Sequence, residues 1–333
     1  MQTISRCSIN SWGPVWFLLS VLFFAGCSGN DDGTGNPNEG SAIAFDCSAS
    51  DMRAAKTTAA DMQYFRISAI WNKGNGVYAS FMDKQLVERD GDNWVYSPVK
   101  YWPGYGTVSF FAYSPATLSG LDLLYIENSS NEASFEYTVS KNYQEQEDFM
   151  VASNLDKNGN PIRLYFEHAL AGVYFRARSG EAGVSFRIRE IKLTGIYSKG
   201  ILTGIPNEET KTSDWTWYGQ SGATSYVVYQ KYPFETQGDE YGDVGDLMVL
   251  PQGQDQDINV PPIKIEVLYD IVGGAADQIR TYELEKSFTF EKGRKYTLHL
   301  TLDTQASSLS QKQYAGMTAK SGLYIASEPT ESR

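Results

Sequence analysis

Short segments that alternate apolar and polar residues, cut apart by turn signals, constrain this chain more than anything else in it. In "MQYFRISAIW" (62–71), Phe65, Ile67 and Ala69 point one way and Tyr64, Arg66 and Ser68 the other. Period two of this kind describes a strand with one face buried. The pattern returns in "GVYASFM" (76–82), "QLVERD" (85–90), "NWVYSPV" (93–99), "GTVSFFAYSP" (106–115), "ASFEYTVS" (133–140), "IRLYFEHALAGVYFRARS" (162–179) and "VSFRIREIKLTGIY" (184–197). Between them stand "RDGDN", "WPGYG", "DKNGNP" and "RSGEAG", rich in residues that reverse a chain. Tyr, Trp and Phe make up 14% of the chain, which suits β structure and leaves little for long helices.

The expected fold class is therefore all-β, as two antiparallel β-sandwich domains in tandem. The first is expected over residues 41–197, opening with a short strand "AIAF" (42–45) followed by a loop over 48–61. Phe186, Ile188, Ile191 and Leu193 change phase once, which predicts a bulge near Glu190. "EHALAGV" (167–173) suggests a brief helical turn. Residues 198–223 lack strong periodicity, so the boundary is placed near Ser198. The second domain, 198–303, carries "ILTG", "WTWYG", "SYVVYQK", "DLMVLPQ", "PIKIEVLYDIV", "RTYELEKSFTF" and "RKYTLHLTLD". A tail, 304–333, remains.

At the other end, Val15 to Phe24 is an apolar run of ten residues that ends at Ala25, Gly26 and Cys27. It falls short of the roughly 20 residues a membrane-spanning helix needs, and it fits the apolar region of a secretory signal. The string up to Cys27 resembles a bacterial lipobox, with Phe24 in place of the more usual leucine. Residues 1–26 are thus expected to be a lipoprotein signal, Cys27 the lipidated residue, and 27–40 a flexible tether without large apolar groups. The other reading is an ordinary secretory signal with an incidental cysteine. Of three cysteines, Cys7 would leave with the signal and Cys27 would carry lipid, so Cys47 would stand alone without a disulfide. A formal net charge of −12 argues against nucleic acid as a partner.

Catalytic machinery is not evident. The two histidines read as structural: His168 as a backbone-bonded residue within "FEHALAG", His299 as a solvated residue on the Thr297–Thr301 face of its strand. No nucleophile elbow, phosphate loop or zinc-binding helix motif occurs. Asp156, Asn158 and Asn160 in "LDKNGNP" have part of a calcium-loop pattern, but the glycine is misplaced and no glutamate closes it, so a tight turn is expected. Asp239, Glu240, Asp243 and Asp246 are weaker candidates still. No cofactor or metal is expected. In "SDWTWYG", Trp215 and Trp217 share one strand face beside Tyr218, a candidate platform for sugar rings if that face is outward and core if it is inward.

Several strings resemble the fimbrillin family of Gram-negative surface pilins: "VYSPVKYWP" (95–103), "SFFAYSP" (109–115), "EDFMVAS" (147–153), "LYFEHALAGVYF" (164–175), "IREIKLTGI" (188–196), "LMVLPQ" (247–252) and "EKGRKYTLHLTL" (291–302). The resemblance implies two transthyretin-like sandwiches, export as an outer-membrane lipoprotein and no enzymatic activity. It also implies proteolysis behind the first strand, where Arg53 followed by Ala54 is the candidate site and Lys56 a competing basic residue. Loss of that strand would open a groove for a strand from another pilin subunit. Leu323, Tyr324 and Ile325 in the tail are the candidate donor, a self-paired strand or a frayed end being the alternatives. Other pilin subunits, a surface receptor or glycan, and the outer membrane through lipid are the implied partners. A lipid-anchored glycan-binding protein is the rival reading.

Overall fold

The computed structural model describes residues 36, 38–49, 61–127, 131–253, 262–284, 288–304 and 323–328. The candidate lipidation site Cys27 and the candidate cleavage site Arg53–Ala54 lie outside these residues.

Twenty-one strands follow one another with no α-helix among the described residues. In chain order they are β1 (Phe45–Ala49), β2 (Tyr64–Asn72), β3 (Tyr78–Asp90), β4 (Asn93–Val95), β5 (Thr107–Ser114), β6 (Leu121–Glu127) and β7 (Glu132–Thr138). Then come β8 (Met150–Lys157), β9 (Ile162–His168), β10 (Ala171–Ser179), β11 (Phe186–Ile196), β12 (Lys199–Asn207), β13 (Thr212–Ser221) and β14 (Thr224–Glu235). The last are β15 (Gly242–Val249), β16 (Gln252–Gly253), β17 (Lys264–Ile271), β18 (Gln278–Glu283), β19 (Thr289–Phe290), β20 (Lys295–Leu302) and β21 (Leu323–Glu328). The all-β class is as the alternation predicts. The helical turn expected in "EHALAGV" is absent: Ala169 and Leu170 are the break between β9 and β10. The predicted phase change appears as a register shift between Ile188 and Glu190 in both ladders of β11.

Seven strands form one sheet in the order β1-β9-β8-β5-β2-β3-β4. One face of it builds a core by itself, from Phe65, Ile67, Val87, Phe110, Ala112, Leu164 and Phe166 among others. A single sheet encloses its own core only by curling. Here its two edge strands come together, with Phe45 of β1 and Tyr96 just after β4 at 5.3 Å between ring centroids.

The remaining strands make a second, larger core. Sheet β15-β10-β20-β21 and sheet β14-β11-β17-β18 line it with Val173, Phe175, Leu298 and Leu300 from one, and Ile191, Leu193, Ile265 and Val267 from the other. A third sheet, β13-β12-β7-β6, carries Phe135, Tyr137, Trp215 and Trp217 into the same core, against Phe149 and Val151 at the start of β8.

These pairings move the boundary expected near Ser198. β10 lies between β15 and β20, and β11 between β14 and β17, so residues 171–196 belong with the later strands. β6 and β7, from the middle of the expected first domain, extend the β12–β13 hairpin. Partner choice between distant strands leaves little mark on either strand, whereas a shift in local periodicity does, and near Ser198 that shift pointed to the wrong place. Residues 198–223 form the β12–β13 hairpin itself.

Candidate functional site

The site is the slot at the closing edge of the seven-stranded sheet, filled by the chain's own residues 40–49. These include Ile43, Phe45, Cys47 and Ala49, which alternate toward the core. Ile43 and Phe45 are buried, Cys47 and Ala49 pack at the margin, and Ala44, Asp46 and Ser48 face out. Phe45 meets Phe65 and Phe110 edge-on at 6.0 Å each. Burial, and secondarily Asp46, pushes the Cys47 thiol far above its ordinary range.

The backbone of this segment is bonded on both sides. Toward the loop after β4, Gly40 N–H donates to Trp102 O, Trp102 N–H to Ser41 O, and Ile43 N–H to Lys100 O. The Tyr96 hydroxyl donates to Ile43 O at 2.9 Å. Toward β9, Ile162 N–H donates to Ala44 O, and β1 continues as a parallel partner of β9 from Phe45↔Ile162 to Ala49↔Phe166. Between these ladders sits Asn160. Its Nδ2 donates to Ala42 O at 2.6 Å, and its Oδ1 accepts from Ala44 N–H at 2.9 Å and from Trp102 Nε1 at 3.0 Å.

The tether expected over 27–40 is thus docked in its last part. Asn36 N–H donates to Gly104 O, the Asn36 side chain to Pro103 O, and the Asn38 side chain to Asn158 O. Asparagine and glycine without large apolar groups signalled flexibility, but asparagine carboxamides also satisfy exposed backbone groups, and here they do. The strand expected at 42–45 begins its ladder at Phe45 and runs to Ala49, inside the expected loop.

The other candidates scatter. Leu323, Tyr324 and Ile325 lie in β21, which pairs antiparallel with β20 of the same chain, Tyr324 opposite His299. His299 is half-buried rather than freely solvated: its ring packs against Tyr241 at 4.6 Å, and burial, then Arg176 and Arg178, hold it below the usual histidine range. His168 is structural as expected, yet its Nδ1 bonds the Asp148 carboxylate at 2.9 Å with both side chains fully buried. Asp156 receives Thr107 and Asn131 and faces Lys211. No group of three or more metal-ligating side chains occurs among the described residues.

The sugar platform does not form. Trp215 and Trp217 turn inward, at 4% and 8% exposure, and only Tyr218 of the trio is exposed. Trp217 Nε1 donates to Ala169 O, and Trp215 stacks near Phe135 at 5.7 Å. Gly204 and Gly200 of β12 make room for the indoles, and a Cβ on Gly204 would stand 2.6 Å from the Trp215 ring. Gly204→Ala is accordingly expected to cost about 1–3 kcal/mol through overpacking, read as a lowered midpoint in thermal unfolding.

The arrangement is a slot in an all-β scaffold, closed by the chain's own residues 40–49. The sequence profile of the Fimbrillin-like family matches residues 53–313, and the chain belongs to that family. By its family it is a fimbrial subunit of the cell surface and not an enzyme. No curated protein sequence matches it. Among solved structures, it is similar to a candidate cell adhesion protein from Bacteroides uniformis, at 13% identity over 86% of this chain and 96% of that one, TM-score 0.46. A second, from Bacteroides ovatus, matches at 13% identity over 87% and 96%, TM-score 0.47. The tip fimbrial protein Mfa3 from Porphyromonas gingivalis matches at 10% identity over 80% and 94%, TM-score 0.38.

Sequence reasoning missed Asn160, Trp102 and Tyr96 as parts of the slot. Nothing local marks these three residues, because their role comes from the register between distant strands.

Proposed function

We propose that the chain is exported as a lipoprotein acylated at Cys27, cut after Arg53, and built into a fimbrium by strand exchange with other pilin subunits. One observation carries this reading: residues 40–49 close the curled sheet, bonded to Lys100 and Trp102 on one side and to Asn160 and Ile162 on the other. A cut after Arg53 would detach an integral strand rather than a loose leader. Its departure would leave unpaired backbone along both margins and bare the ring faces of Phe65, Phe110 and Tyr96, which favours refilling by a strand from another subunit. The tail carrying β21 supplies the incoming strand once it leaves β20.

The test is the N-terminus of the protein taken from its native cell surface, by mass spectrometry. A start at Ala54 is expected, with Arg53→Gln retaining an acylated Cys27 and losing SDS-resistant ladders. An acylated start at Cys27 in mature ladders would overturn the cleavage step. Deleting the tail is expected to abolish ladders; ladders that persist would show that β21 is not the donor.

Cys47 reports on the slot. Its burial suppresses the thiolate that reacts with alkylating agents. In the uncut protein at pH 8, Cys47 should be alkylated at least about tenfold more slowly than in the urea-unfolded chain. Peptide mapping after a timed pulse measures this, and equal rates would mean that β1 is not seated.

A further inference from the structure

Asn160 occupies the point where the backbone ladder between β1 and β9 stops. In a parallel pair, one residue donates its N–H to the carbonyl before its partner and accepts from the N–H after it. Around Ile43 those two groups are Ala42 O and Ala44 N–H. The register Phe45↔Ile162 sets Asn160 opposite Ile43, so the backbone that would face them is Asn160's own N–H and C=O. The Asn160 carboxamide stands in for it, donating to Ala42 O at 2.6 Å and accepting from Ala44 N–H at 2.9 Å. A carboxamide carries the same donor and acceptor as a peptide group, so the substitution is chemically complete. Trp102 Nε1, itself buried under the segment, donates to the same Oδ1 at 3.0 Å and fixes which way the amide faces.

We infer that Asn160 is a main-chain clamp that sets the register of whichever strand fills the slot, first the chain's own residues 40–49 and then, in assembly, a strand from a second copy of this chain. The second half of that statement rests on the strand-exchange reading above; the first does not. Neither bond involves an occupant side chain. The clamp therefore accepts any extended segment with a free N–H two residues after a carbonyl, and selection falls to the two buried positions now held by Ile43 and Phe45. A register slip of one residue would turn those side chains out to solvent and bring their outward neighbours in. The same slip would present to Asn160 a residue whose backbone groups face the Tyr96–Lys100 side. Clamp and pockets thus enforce one register together.

The clamp is testable without assembly. In the uncut chain, Asn160→Leu should speed hydrogen exchange at the Ala44 amide by about tenfold, the worth of one or two neutral hydrogen bonds, with Phe65 and Phe110 amides in the core unchanged. Unchanged exchange at Ala44 would overturn the proposal. A second experiment uses the full chain cut after Arg53 and a labelled synthetic peptide of residues 38–49, made with either the ordinary amide or an ester at the 43–44 linkage, which removes the Ala44 N–H. In the wild-type protein the ester peptide should dissociate about five- to tenfold faster. In Asn160→Leu the amide and ester peptides should dissociate alike. An ester penalty of the same size in both proteins would overturn the clamp. If the peptide never enters the cut wild-type protein, strand exchange fails while the Ala44 measurement still decides the clamp.

Discussion

Phe45→Ala is expected to lower the unfolding free energy by about 3–5 kcal/mol, the range for deleting a buried phenylalanine from a packed core. In a unit of this size that corresponds to a fall of roughly 10 °C in melting midpoint. The ring is 7% exposed and meets three aromatic neighbours, Tyr96 beside the slot and Phe65 of β2 and Phe110 of β5 across the core. Two of those contacts sit on the far side of the curl, so no small shift of β1 refills the cavity. Ser48→Ala, on the outward face of the same strand, is the control and should change stability by less than about 0.5 kcal/mol. Urea unfolding of the two variants measures the contrast. A loss under about 1 kcal/mol for Phe45→Ala would mean that β1 is an ornament on the sheet edge, and the slot reading would fall with it.

The second large effect belongs to Asp148 and His168. Their bond is 2.9 Å, both side chains are fully buried, and the second Asp148 oxygen has no hydrogen-bond partner among the described residues. Taking one member of such a pair away leaves a buried polar group uncompensated, so Asp148→Ala should cost about 3–5 kcal/mol. Replacing both, as Asp148→Ala with His168→Leu, should cost less than the two single changes added together, by about 1–3 kcal/mol. The place makes this consequential. Gln146 Oε1 accepts from Met248 N–H, Ala169 N–H donates to Phe149 O, and Trp217 Nε1 donates to Ala169 O. Those bonds tie the end of the seven-stranded sheet to the strands that follow, and the Asp148–His168 pair lies in their midst. Denaturation curves for the two single variants and the double variant form the required cycle. Strict additivity would show that the two side chains act independently.

Much of what local physics decides was legible in residues in order, the helical turn expected in "EHALAGV" being an exception. The alternation in 62–71 became β2, and the phase change became the shift at Glu190. The family resemblance followed from strings of this kind and holds over residues 53–313. Where a residue's role depends on what stands across from it, order was not enough. Trp215 and Trp217 share a face in any strand, but only the pairing with β12, whose Gly200 and Gly204 clear the space, turns that face inward. His168 reads as a backbone-bonded histidine until Asp148 arrives from twenty positions earlier in the chain.

Period-two patterning and turn chemistry by themselves determined that this protein is built of β-strands, because side-chain direction along a strand is a local property. The tertiary structure alone decided that a seven-stranded sheet curls on itself and that residues 40–49 close it. It alone decided that β10 and β11 join the later strands, and that an asparagine side chain continues a ladder. Each of those depends on backbone groups that are alike in every residue, so the amino-acid letters carry little trace of which ones meet.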